Sequence, residues 1–327
     1  MKRKLILLII GIIGLLILLF TPQMGTHWIS PLTHKLSELD SHIFINLRIP
    51  RVLFAFACGS ALSLSGMAFQ AMFRNPLATP FTLGVSSGAA LGGALYIRLG
   101  LGFFVLGVPG ITLFAFSGAL VTLVAVYTLT RVRGGFSTST LLLAGIAINF
   151  FCSSLILFVK YLSGFGDSFS IMRWMMGALD ITGYTKLLQI LPFIIAGTVI
   201  LGLLVQDLNL LLTGEDLAQS RGVPVARTKK LVFLAASLLV GSVVAFCGPI
   251  GFVGMMAPHI VRLLLGHDHR WLMPGTLLFG GVFMVLCDTL ARTLISPGEI
   301  PVGVITALLG GPFFLWLLLN RKGHVEF

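Results

Sequence analysis

The apolar run Leu286-Cys-Asp-Thr-Leu-Ala-Arg292 holds two ionisable residues four positions apart. A helix would set Asp288 and Arg292 on one face, where carboxylate and guanidinium can meet. Ionisable side chains are costly in lipid and usually functional there. Few other acids fall in the apolar runs, so a structural ion pair or polar helix contact is favoured over a proton relay. His259, in Ala257-Pro-His-Ile-Val-Arg262, sits beside a helix-breaking proline and reads as a structural histidine. His27, His34 and His42 share one polar stretch and read as surface residues, so no metal site is expected. Cys58, Cys152, Cys247 and Cys287 lie singly in apolar segments without a Cys-x-x-Cys pair, which favours buried free thiols.

ATP chemistry is missing. No Gly-x-x-x-x-Gly-Lys-Ser/Thr phosphate loop occurs, nor even a Gly-Lys pair, so the chain lacks that route to hydrolysis. A His-Glu-x-x-His zinc motif is absent too. An enzyme reading has little support.

The composition describes the medium that must hold these residues. Of 327 residues 57% are hydrophobic and 10% charged, with mean hydropathy +1.02. Soluble domains carry about 25% charged residues. A hydrocarbon core about 30 Å thick takes roughly 20 apolar residues per crossing, so the length allows about ten crossings. No room remains for a large soluble domain, and residues 1–327 read as one transmembrane domain. The 38 glycines suit close helix packing in lipid. The formal charge of +11 is scattered in short clusters, without the continuous stripe that nucleic acid requires. It is read as topology-setting charge.

Lys2-Arg3-Lys4 followed by Leu5–Phe20 resembles a signal peptide, but no small-x-small cleavage site follows, so a retained first helix is expected. After a polar stretch at about 22–46, apolar segments fall near 50–73, 86–99, 103–130, 138–162, 186–206, 230–248, 255–266, 272–294 and 301–320. The segments 86–99 and 255–266 are short and are expected to tilt or break. With the N-terminus inside, fourteen Lys and Arg fall in inside loops and eight at outside ends, which puts both termini in the cytoplasm. The loop 207–229 is then the longest inside loop. Glu215 and Asp216 suit a helix start, and Gly222 with Pro224 a helix stop. This predicts a short helix–turn–helix on the cytoplasmic face that serves as a docking element. Arg74-Asn-Pro-Leu-Ala-Thr-Pro80 must interrupt a helix, since Asn75 and Thr79 both precede proline. Gly248-Pro-Ile-Gly251-Phe-Val-Gly254 does the same in the second half, and breaks in both halves point to a transport pathway.

These stretches carry a resemblance. Residues 47–93, from Leu-Arg-Ile-Pro-Arg through Arg-Asn-Pro-Leu-Ala-Thr-Pro to Gly93, resemble the second and third helices of FecCD-type permeases. These are membrane subunits of ABC importers for ferric siderophores, haem and cobalamin. Residues 248–275, 288–303 and 307–318 resemble the C-terminal half, so the match runs in order from residue 45 onwards. The resemblance implies an all-α polytopic membrane protein of the type II ABC importer fold in the bacterial inner membrane. It also implies a homodimer, two cytoplasmic ATPase subunits that hold the ATP and Mg2+, and an extracytoplasmic solute-binding protein. The chain itself would bind no cofactor. Gly214, Glu215, Asp216, Leu217, Ala218, Arg221 and Gly222 match the ATPase-coupling segment. Arg48, Arg51 and Arg292 match exposed arginines that meet glutamates of the binding protein. Asn75, Leu77, Thr138 and Ser139 match the cytoplasmic gate, while Thr79 stands where the family often has an acid. An iron chelate, ferric siderophore foremost, is the expected cargo, with haem and cobalamin as alternatives.

Overall fold

The computed structural model describes residues 2–25, 28–29, 37–132, 138–295 and 298–319. His27, His34 and the side chain of Thr138 fall outside what is described. In chain order the helices are α1 (Lys2–Phe20), α2 (Glu38–Ile43), α3 (Ile49–Phe73) and α4 (Val85–Arg98). A small hairpin, β1 (Phe104–Val105) with β2 (Val108–Pro109), leads into α5 (Gly110–Val132), α6 (Thr138–Leu162) and α7 (Phe165–Met175). Then follow α8 (Thr185–Leu203), α9 (Val205–Leu211), α10 (Glu215–Ser220) and α11 (Val225–Cys247). The chain ends with α12 (Val253–Leu265), α13 (His269–Thr293) and α14 (Val302–Leu319).

Among the described residues, seven helical stretches are long and apolar enough to cross a membrane. The helices α4 and α12 are the short ones anticipated from the segments 86–99 and 255–266, at 14 and 13 residues. The ten expected segments correspond to α1, α3, α4, α5, α6, α8, α11, α12, α13 and α14. One boundary differs. The helix expected from residue 103 begins only at Gly110, because Leu106 (φ 51°) and Gly107 (φ 76°) turn the chain back into the hairpin. Two successive positive φ values match the twist of a tight two-residue turn. The sequence reading also missed α7, whose eleven residues mix polar and apolar positions.

The centre of the bundle is α3, buried along most of its length and packed by α13, α11, α12 and α8. Its small residues explain why. A methyl added at Gly66 would lie 1.7 Å from the Gly254 carbonyl, so α3 and α12 touch backbone to backbone. Lipid tails are as apolar as leucine, so such close contacts and buried hydrogen bonds hold membrane helices together. Ser60 and Ser63 donate to the Leu277 and Thr276 carbonyls of α13, at 2.9 and 3.0 Å. Arg262 on α12 donates to Gln70 Oε1 at 2.9 Å. All four cysteines are free and buried, as expected. Two of them nonetheless meet: Cys58 Sγ on α3 lies 3.7 Å from Cys247 Sγ on α11.

Both expected breaks are present. After α3, Arg74 takes a left-handed conformation (φ 47°) and residues 75–79 are non-helical. A 3-10 turn, Pro80–Leu83, then packs on α6. After α11, Gly248 (φ 72°) and Phe252 (φ 67°) redirect the chain into α12 beside the middle of α3. Non-helical backbone at such depth is tolerated only where protein or a cavity surrounds it.

Candidate functional site

Charged side chains gather at the two ends of α3. At its N-terminal end a π-helical turn, Phe44–Arg48, widens the helix and aims Arg48 at the end of α1. Helix C-termini leave carbonyls without intrahelical partners, and two arginines supply them here. Arg48 Nη1 donates to the Gln23 carbonyl at 2.9 Å and to that of Pro22 at 3.3 Å. Arg292 Nη1 donates to Met24 O at 3.0 Å and Nη2 to Thr21 O at 3.2 Å. Asp288 is the anion of the group. It accepts from Arg51 Nε and Nη2, both at 3.0 Å, and Arg292 Nε lies 3.4 Å away across the expected i,i+4 pair. Arg51 Nη1 meets both Glu299 oxygens, at 3.1 and 3.0 Å.

This geometry corrects one expectation. Arg48 and Arg292, each 7% exposed, are buried brackets of the fold rather than exposed arginines. Their neighbours are the carbonyls at the end of α1 and, for Arg292, the Asp288 carboxylate. Of the three, Arg51 alone reaches the surface, through Glu299. Glu299 lies within the stretch 288–303 that carries the resemblance, yet the sequence reading assigned it no role.

A cavity of 720 Å³ opens beside this cluster, lined by Arg51, Asp288 and Glu299 together with Arg173, Trp174 and Lys186. Cys247 also reaches it, so the second helix break stands at its wall.

The other end carries the loop 207–229, which folds back on itself as anticipated. Its start and end meet where Thr228 Oγ1 donates to Asp207 Oδ2 at 2.8 Å. Gly214 caps α10, whose first turn holds Glu215 and Asp216, and Gly222 (φ 87°) ends the element by letting Val223 N–H reach the Ala218 carbonyl. Lys229, 1% exposed, reaches up from α11 to pair with Glu215. Ala218 is buried and Arg221 exposed, while Leu217 stays 53% exposed on this polar element. Asn209 ties α9 to the start of α13 by donating to Asp268 Oδ1 at 2.8 Å and accepting from His269 N–H at 2.8 Å. Burial opposes the Asp268 charge, but the Arg270 backbone N–H and the Asn209 amide outweigh it and hold its carboxyl below the usual range. Sequence reading found neither the Lys229–Glu215 pair nor Asn209, since both depend on distant segments.

The gate residues are split. Asn75 and Leu77 are half-buried, and Asn75 Oδ1 accepts from the Leu77 N–H at 2.9 Å, which fixes the break. Ser139 is exposed at the start of α6. The break lies close to the loop 207–229: a methyl at Gly214 would stand 3.4 Å from Arg74 Nη1. His259 is buried on α12 with its ring edge-on to Phe313, as a structural histidine would be. One pattern was passed over as absent. Gly84-Val-Ser86-Ser-Gly88 has the spacing of a nucleophile elbow, but here it is a buried helix start with no preceding strand.

A model of the FecCD transport family matches residues 6–320. The hemin transport system permease protein HmuU of Yersinia pestis is 43% identical over 287 residues, 86% of this chain and 84% of its own. The vitamin B12 import system permease protein BtuC of Salmonella typhi is 38% identical over 322 residues, 96% of this chain and 94% of its own. A solved structure of a metal-chelate type ABC transporter, in an inward-facing conformation, superposes with a TM-score of 0.87 at 33% identity. That superposition covers 97% of this chain and 99% of the other. With a family match over nearly its whole length and a bundle of apolar helices, the chain belongs to the FecCD transport family and is the multi-pass membrane permease of an ABC importer.

Proposed function

We propose that this permease moves an iron chelate, ferric siderophore foremost, across the bacterial inner membrane by alternating access. Haem is the alternative favoured by the similarity to the hemin permease, and cobalamin the one favoured by the vitamin B12 permease. The observation that carries the chelate class is the 0.87 TM-score fit, along nearly the entire chain, to a metal-chelate type transporter. The 720 Å³ cavity, walled by both charges and Trp174, suits a bulky and partly polar cargo.

Two copies of the chain enclose the path, and each takes one cytoplasmic ATPase that holds the ATP and Mg2+. The landing place is the loop 207–229, with Gly214, Glu215, Asp216, Leu217, Ala218, Arg221 and Gly222. The exposed Leu217 on an otherwise polar element supports this, because an apolar side chain there gains by being covered. A solute-binding protein docks at the opposite end, at Arg51, and both chain termini lie in the cytoplasm. Asn75, Leu77, Thr138 and Ser139 close the cytoplasmic mouth. The proximity of Arg74 to Gly214 couples that mouth to the ATPase loop, so nucleotide-driven motion there biases a two-state packing.

The test is uptake into proteoliposomes that contain the permease with its ATPase and binding protein. Ferric hydroxamate, ferric catecholate, haem and cobalamin are offered in turn. Transport of an iron chelate at the highest kcat/KM supports the reading. Stimulation of ATPase activity by cobalamin alone overturns it in favour of the vitamin.

A further inference from the structure

Arg51 offers two edges of its guanidinium to two carboxylates of unlike standing. Nε and Nη2 face Asp288, which is 1% exposed and also held near Arg292. Nη1 faces Glu299, which is 55% exposed on the segment that joins α13 to α14. One partner is built into the bundle; the other stands at the surface, where an ion pair is weak and easily exchanged. The consequences of moving Glu299 are local and specific. It is followed by Ile300, whose N–H donates to the Ala291 carbonyl at 3.0 Å, then by Pro301 and the first turn of α14. Glu299, Ile300, Pro301 and Val302 all line the 720 Å³ cavity.

We propose that Glu299 is an internal stand-in for an acidic residue of an extracytoplasmic partner protein, which displaces it from Arg51 Nη1 on docking and so frees the segment that leads into α14. The proposal rests on the reading of Arg51 as the docking arginine. A carboxylate replaces a carboxylate, so Arg51 is paired before and after, and the Asp288 side of the cluster need not move. A released Glu299 remains on a cavity that also holds the cations of Arg173 and Lys186. Docking is thereby read at the cavity wall without any new charge entering the buried cluster.

The experiment titrates the permease's cognate solute-binding protein onto permease in nanodiscs, with hydrogen exchange followed over residues 298–302. Removing the internal competitor in Glu299→Gln is expected to tighten binding roughly fivefold or more, chiefly through the on-rate that charge complementarity governs. The Ile300 amide is expected to exchange faster in that variant alone, and in the wild type once the partner binds. Glu299→Asp keeps the competing charge and is expected to bind as the wild type does. Weakened binding in Arg51→Ala with unchanged binding in Glu299→Gln would overturn the stand-in and leave docking at Arg51 intact. Unchanged binding in both variants would remove docking at Arg51 and the stand-in with it. Equal tightening in Glu299→Asp and Glu299→Gln would also overturn the proposal, since charge would then not be the cause.

Discussion

The arginine end and the loop 207–229 both hold charged groups together, yet they hold them differently. At the arginine end Asp288 is 1% exposed, Arg48 and Arg292 are each 7% exposed, and the guanidinium groups reach carbonyls or carboxylates in other segments. In the loop only the cation is buried: Lys229 is 1% exposed and its partner Glu215 is 47% exposed. Removing one member of a buried group strands the others, whereas Glu215 can return to water. One end is therefore built to hold the helices in place. The other holds its charges loosely, on two short helices with an uncovered leucine.

The difference is testable by substitution, in descending order of effect. Arg48→Glu would set a carboxylate against the Pro22 and Gln23 carbonyls, and no monodisperse permease is expected on size exclusion. Recovery of folded protein that merely fails to bind its partner would make Arg48 a docking residue after all. Asp288→Asn leaves Arg51 and Arg292 with a neutral neighbour, and a loss of about 3 kcal/mol is expected, read as a lower melting temperature in detergent. A loss no larger than that of a surface pair would show that water reaches the cluster. Lys229→Met keeps the packed stem and drops the charge. It is expected to cost about 1 kcal/mol or less in stability, while ATPase co-purification falls several-fold because α10 is no longer tethered. Wild-type ATPase recovery would sever the tether from docking. Leu217→Ser should leave stability within about 0.5 kcal/mol and still weaken ATPase capture about tenfold, as loss of an apolar anchor does. Unaltered capture would move the landing place off α10.

Much of this molecule is legible before folding. The apolar runs, the two Gly/Pro breaks, the short α4 and α12, and α10 with its acidic start and glycine stop all follow from local rules of spacing and backbone sterics. The Asp288–Arg292 pair was legible for the same reason, being four residues apart on one helix. The errors have a common origin too. A run that is apolar from residue 103 cannot announce a hairpin whose turn rests on Leu106 and Gly107. A polar stretch that must contain charges cannot show that Arg48 turns inward through a π-helical turn.

What the sequence determined by itself is the medium and the family: an apolar, charge-poor chain has to solvate its backbone in helices, and its motifs occur in order along nearly all of it. What only the tertiary structure decided is which charges are spent. Arg48, Arg51 and Arg292 look alike in sequence, each a cation near a helix end. Burial divides them, because the carbonyls that end α1 and the carboxylates at 288 and 299 come from segments up to 271 residues apart. Apart from the local Asp288–Arg292 pair, long-range packing brings those groups within hydrogen-bond reach, and it leaves Arg51 as the arginine with an edge still open to exchange.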